Sequence, residues 1–151
     1  MPAPRTVPLP DAKATDALGA RLGAVLQPGD IVLLHGDLGM GKTTLARGLI
    51  AARCGVADAP SPTYTLVQSY DTQDGQWLLH ADLYRIEDER ELPELGLDDA
   101  FDAAICLIEW PDRLGRFTPD RRLDLYLKPD GESRIAEIVP VGEWGDRLDH
   151  V

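Results

Sequence analysis

Gly36-Asp37-Leu38-Gly39-Met40-Gly41-Lys42-Thr43 matches G-x-x-x-x-G-K-[ST] at every fixed position, and it stands between two apolar patterns of different period. Ahead of it, Asp30-Ile31-Val32-Leu33-Leu34-His35 is short and apolar on both faces, as a strand buried in the middle of a sheet must be. Behind it, Leu45, Leu49 and Ile50 recur at helical spacing, which predicts a helix from about Lys42 that stops at Gly55. A glycine loop between a buried strand and a helix is built to hold phosphate. Gly36, Gly39 and Gly41 let the backbone N–H groups turn inward, and the helix offers the positive end of its dipole to the same oxygens. Lys42 is placed to meet the β- and γ-phosphates and Thr43 to set its hydroxyl on Mg2+, with Thr44 and the 39–42 backbone completing the cradle. The expected nucleotide-binding set here is Gly36, Asp37, Leu38, Gly39, Met40, Gly41, Lys42, Thr43 and Thr44.

Phosphoryl chemistry also needs an acid at the end of a neighbouring strand to hold the metal or its water shell. Two positions qualify. Glu109 directly follows the apolar run Ile105-Cys106-Leu107-Ile108, and Asp82 follows the strand Trp77-Leu78-Leu79-His80-Ala81. The cleaner apolar run assigns metal coordination to Glu109, beside Thr43, and leaves Asp82 to position or activate the attacking water. Thr63 and Thr65 are β-formers that fit a strand or, after the Ser61-Pro62 lead-in, a loop end facing the phosphates; on the second reading Thr63 joins Lys42 and Asp82 as a catalytic residue. The expected base is adenine, because a guanine-reading Asn-Lys-x-Asp motif is impossible in a chain without asparagine. ATP and Mg2+ are the expected ligands.

Further out, the rhythm changes from strand alternating with helix to strand following strand. Thr63 to Tyr70 and Trp77 to Asp82 flank the hairpin loop Asp71 to Gln76, and Arg122 to Leu127 turns through Pro129-Asp130-Gly131 into Arg134 to Val139. Hairpins are foreign to pure parallel winding, so the sheet should be mixed, parallel and antiparallel, and flanked by helices. Toward the N-terminus, beyond a Pro-rich start to which no element is assigned, Asp11 can cap a helix whose apolar face is Ala17, Leu18, Leu22 and Val25 and which ends before Pro28-Gly29. The expectation is an α/β fold, a single P-loop NTPase-like domain over residues 1–151.

The 151 residues carry 26 acids against 15 basic groups, a formal charge of −11. Such a surface argues against direct, tight binding of free nucleic acid, because counterion release from phosphate needs a basic face. Eight acids and one arginine fall between Glu87 and Asp102, −7 of the −11, and read either as a solvated surface or as a docking face for a basic partner. Cys54 and Cys106 form neither a C-x-x-C pair nor a metal cluster and read as reduced core thiols. No apolar stretch approaches the roughly 18 residues of a membrane span, and the N-terminus has no apolar targeting segment, so a cytoplasmic location is expected.

Four stretches together resemble one family. They are the loop from Gly36 to Thr44, Ser61-Pro62-Thr63-Tyr64-Thr65-Leu66-Val67, His80-Ala81-Asp82-Leu83-Tyr84-Arg85, and Ile108-Glu109-Trp110-Pro111, whose order and spacing are similar to the TsaE (YjeE) family of small bacterial ATPases. The resemblance implies a part in threonylcarbamoyladenosine modification of tRNA at position 37, as a hydrolase working on a TsaB–TsaD protein complex. It also implies that Ser61 to Thr65 is a switch I-like loop, that His80 to Arg85 is switch II-like, that Thr43 and Glu109 are the Mg2+ ligands, and that Trp110 and Arg134 lie near the nucleotide. Read without the family, His80 on an alternating strand fits a satisfied inward histidine, and Tyr84 and Arg85 fit surface contacts for a partner equally well. A small-molecule or nucleotide kinase is the competing reading, with Arg113, Arg116, Arg121 and Arg122 near a plausible lid position. A nucleotide sensor that does not hydrolyse is the third, and having both Asp82 and Glu109 counts against it.

Overall fold

A computed structural model describes residues 4–37, 39–62 and 65–151. Seven strands form one sheet in the order β1-β7-β6-β2-β5-β4-β3, where β1 is Arg5–Leu9, β2 Ile31–His35, β3 Val67–Asp71, β4 Trp77–Asp82, β5 Ile105–Glu109, β6 Arg122–Asp130 and β7 Ser133–Val141. β6, β2, β5 and β4 run parallel, β7 and β3 join them antiparallel at the two sides, and β1 pairs antiparallel with β7 at the outer edge. The expected mixed sheet is therefore observed. Its parallel centre brings the C-terminal ends of β2, β4 and β5 to one edge, where open α/β sheets bind ligands.

Alternation divides each central strand between two cores. Val32, Leu34, Leu78, Ile105 and Leu107 face the helices α1 (Ala12–Val25) and α2 (Lys42–Cys54), and Ile31, Leu33, Leu79, Cys106 and Ile108 face the other layer. That second layer is made of two 3-10 turns, Glu89–Leu95 and Pro111–Phe117, and the short helix α3, Leu97–Ala103. The Asp11 carboxylate accepts from the Ala14 N–H and starts α1, and Gly55, at φ 73°, ends α2 by donating to the Ala51 carbonyl.

The contact between α1 and α2 departs from the expected apolar stripe. Ala17 is exposed, and the buried face of α1 includes Gly19 and Gly23 beside Leu18 and Leu22. A Cβ on Gly19 would collide with the Leu45 carbonyl and one on Gly48 with the Asp16 carbonyl, so the two helices meet backbone to backbone. This close approach fixes α2, and with it the glycine loop at its start.

Two elements lie outside the sequence expectations. The Pro-rich start forms β1 on the sheet edge, where Pro8, facing Ile135, has no further strand to pair with and its missing N–H costs little. After β7, Trp144, Leu148 and Val151 return to the first core, and the Trp144 ring has the guanidinium of Arg121 at 4.0 Å and that of Arg147 at 5.4 Å from its centroid. Those arginines close on buried Asp30. Of the strand expected from Thr63 to Tyr70, Thr63 and Tyr64 lie outside the described residues, Thr65 and Leu66 precede the strand and β3 begins at Val67, while the last hairpin turns on Gly131-Glu132, two residues beyond Pro129. Cys54 and Cys106 are free thiols, and burial pushes Cys106 up to about 12. Among the described residues no helix is long and apolar enough to cross a membrane.

Candidate functional site

The glycine loop leaves β2 at Gly36 (φ 154°), turns through Gly39 (φ 81°) and reaches α2 at Gly41 (φ 96°). The left-handed values at Gly39 and Gly41 are costly for any residue with a Cβ. Among the described residues no side chain caps the first turn of α2 and no acid sits in it, which leaves its N–H groups for a ligand. Lys42 is buried at the helix start; its Nζ donates to the Gly36 carbonyl at 2.6 Å and stands 3.7 Å from the centroid of the Trp110 ring. Burial lowers the Lys42 ammonium from its ordinary value, and Glu109, Asp82, Asp37 and Asp112 pull it partly back.

Trp110 owes its position to an unusual backbone. A residue before proline belongs in the extended region, yet Trp110 precedes Pro111 at φ 58° and ψ 53°. That conformation costs a residue with a Cβ roughly 1–2 kcal/mol. The ring it directs packs on Tyr84 at a centroid distance of 4.9 Å as well as under Lys42.

The two acids come from the paired ends of β4 and β5, where Asp82 and Glu109 are register partners. Both are buried. Burial, with Glu109 adding to it, raises the Asp82 carboxyl above the usual carboxylate range, while the Tyr84 N–H, which donates to Asp82 Oδ1 at 3.0 Å, holds it down in part. Backbone bonds lock the surrounding loops to the same strands: Asp82 N–H donates to the Leu66 carbonyl and Leu83 N–H to the Glu109 carbonyl. Leu66 itself has φ 65°, and its N–H donates to the Pro62 carbonyl.

These pieces surround one cavity of about 340 Å3. Gly39, Gly41, Lys42, Thr43, Thr44, Asp82, Glu109, Trp110 and Arg134 all line it, so the structure brings together residues from four separate stretches of the chain. Ser61, in the expected switch I-like loop, lines it too. Gly36 and Asp37 instead border a smaller cavity of about 150 Å3 that shares Lys42 and Trp110, and Met40 packs on the first core. Leu38 and Thr63 lie outside the described residues. Arg134 also lines a third cavity of about 280 Å3, alongside Asp11, Thr15 and Ser133, so one residue borders both spaces.

The arginines considered for a lid are engaged elsewhere. Arg113 donates to the Ile86 carbonyl, Arg116 pairs with Glu89, Arg121 with Asp30 and Arg122 with Asp124, and none lines the large cavity. Part of the acidic run is likewise consumed within the fold. Asp88 and Glu91 form a capping box on the first 3-10 turn, and Glu89 ties that turn to the second. The histidine read as a satisfied core residue is buried, but its Nε2 lies 2.7 Å from Glu109 Oε2, a contact spanning 29 residues that no local pattern signals.

A buried strand, a phosphate-type loop and a helix opening on a cavity walled by acids from adjacent strands define a P-loop NTPase-like α/β fold. The chain belongs to the TsaE family: the sequence model described as threonylcarbamoyl adenosine biosynthesis protein TsaE matches residues 9–136. Relatives named tRNA threonylcarbamoyladenosine biosynthesis protein TsaE include one from Bacillus subtilis, 39% identical over 137 residues, 89% of this chain and 84% of the relative. One from Rickettsia bellii is 39% identical over 77% of this chain and 81% of its own length, and one from Mycobacterium bovis is 35% identical over 93% and 87%. Among solved structures, Bacillus subtilis YdiB superposes with a TM-score of 0.77 at 29% identity, covering 94% of this chain and 88% of that one.

Proposed function

We propose that this chain is a single-domain, Mg2+-dependent ATPase of tRNA threonylcarbamoyladenosine biosynthesis, acting in the cytoplasm, and that its hydrolysis of ATP cycles a TsaB–TsaD protein complex. The relatives' names support the pathway. The observation that carries the chemistry is the pairing of Asp82 with Glu109 on the wall of the cavity that Lys42 and Thr43 also line.

The donor set suits both ligands. The free N–H groups at the start of α2, Lys42 and Arg134 offer positive charge to a polyphosphate, and Thr43 and Glu109 offer the hard oxygens that Mg2+ prefers. Thr43 and Glu109 would hold the ion, which when bound neutralises charge on the phosphates. Lys42 orients the terminal phosphates and stabilises the charge that develops on them. Asp82, the acid with the raised carboxyl, orients the attacking water and can take its proton. Trp110 and Arg134 would flank the nucleotide, and the cavity bordered by Asp11 and Thr15, which Arg134 also lines, would be open to its base and ribose. Direct partners on this reading are ATP and protein, and the acidic chain does not grip tRNA itself.

The experiment is a pull-down of the purified chain with TsaB–TsaD, with and without ATP, followed by a modification assay on tRNA. Nucleotide-dependent capture and modification that requires the chain are expected. Modification proceeding equally well without it would refute the proposal.

A further inference from the structure

His80 occupies a slot that the strand pattern reserves for an apolar residue. On β4 the side facing α1 and α2 reads Leu78, His80, Asp82, and the register partners on β5 read Ile105, Leu107, Glu109. The imidazole is buried between those leucines and the acid, with 2% of its side chain exposed against 4% for Glu109. Burying an imidazole is costly unless it is hydrogen-bonded, and Nδ1 has no partner among the described residues. A leucine would fill the slot without that loss. What the histidine adds is one contact, Nε2 to Glu109 Oε2 at 2.7 Å. A carboxylate only accepts, so Nε2 carries the proton and donates it.

With Oε2 held from behind, Glu109 is fixed in rotation and Oε1 is the oxygen left for a ligand. A carboxylate free to turn would offer either oxygen, or both, and would lose more entropy on binding. We propose that His80 is a positioning residue that presents Glu109 to the metal as a one-oxygen ligand and so sets metal affinity without touching the ion. The inference rests on the reading of Glu109 as a metal ligand. Hydrogen bonds of this kind behind a ligating group typically change metal affinity by roughly 10–100-fold.

The test titrates Mn2+, as a spectroscopic substitute for Mg2+, into the protein with ADP and follows binding by EPR. ADP affinity in EDTA and thermal melting are measured on the same samples. His80→Gln keeps an N–H donor at about the reach of Nε2, His80→Asn is one methylene short, and His80→Leu has no donor. His80→Leu and His80→Asn are expected to weaken Mn2+ binding roughly 10–100-fold with ADP affinity in EDTA unchanged, and His80→Gln to recover most of the loss. If His80→Leu fails to fold, the contrast between the Gln and Asn variants decides. Equal Mn2+ affinity in those two would overturn the proposal, whether both bind normally or both bind weakly. Glu109→Ala is run in parallel. If it loses Mn2+ and the His80 variants do not, the inference fails alone; if it binds Mn2+ normally, the metal assignment fails and the inference falls with it.

Discussion

Lys42 Nζ is held between the Gly36 carbonyl, 2.6 Å away, and the face of the Trp110 ring, 3.7 Å from its centroid. The ammonium that should meet phosphate is thus kept inside the loop by a carbonyl and an aromatic quadrupole, and the strained backbone of Trp110 directs the ring there. Charge-assisted contacts of this type are worth about 1.5–3 kcal/mol each. Lys42→Ala should therefore raise the Kd for ADP by roughly 10–100-fold in calorimetric titration. An unchanged Kd would remove Lys42 from phosphate binding.

Asp82 offers a prediction of opposite sign for stability and activity. Its carboxyl is raised in the folded protein by burial, with Glu109 adding to the effect, so without metal its contribution to stability is full below the unfolded value and is lost as pH rises through the folded one. At neutral pH the charged form is a burden. Asp82→Asn should raise the melting temperature of the metal-free protein at pH 7 while removing turnover and preserving ATP affinity. A variant that melts lower and still turns over would contradict both assignments.

Asp30 behaves in the reverse way. Burial raises its carboxyl, but bonds from Arg147, the Gln27 N–H and Arg121 outweigh burial and hold it below the usual carboxylate range. Its contribution to stability is therefore present above the unfolded value, about pH 4, and is lost as pH falls through the folded one. Removing one partner of a buried pair costs about 3–5 kcal/mol, so Asp30→Asn should lower the melting temperature at pH 7 by roughly 10 °C. Melts from pH 7 to pH 3 should also show the gap between wild type and variant shrinking in acid.

The glycine contact between α1 and α2 is tested by Gly48→Ala. The added methyl has no room against the Asp16 carbonyl, so the helices must part, at a cost of about 1–3 kcal/mol. Because α2 carries the loop, ADP affinity should fall with the melting temperature. Unchanged melting would show that the helices can separate freely.

The parts of the fold and site legible in the sequence are those whose chemistry demands a local pattern. The loop, the buried strand before it and the acids ending β4 and β5 are legible because a phosphate-type glycine loop and strand-end acids are defined by residue type and spacing over a few positions. β1 was not, because Pro8 reads locally as a breaker and only its partner Ile135, far along the chain, makes it an edge strand. Gly19, Gly23 and Gly48 carry no apolar signal, and their role appears only when two helices touch. His80 is legible as an inward, buried histidine but not as a satisfied one, since Nδ1 has no partner among the described residues, and its link to Glu109 depends on the register of β4 against β5. The C-terminal Trp144 needed Arg121 and Arg147 from different segments to explain its place.

On the proposed function the cavity hydrolyses ATP through Mg2+ and two acids for the benefit of a protein complex. The most direct test is the steady-state rate of ATP hydrolysis, with and without Mg2+ and with and without TsaB–TsaD, for wild type, Asp82→Ala and Glu109→Ala. A slow Mg2+-dependent rate that changes when TsaB–TsaD is added is expected, with a fall of at least about 100-fold in either variant. Wild-type hydrolysis rates in both variants, or a rate indifferent to Mg2+ and to TsaB–TsaD, would contradict this function.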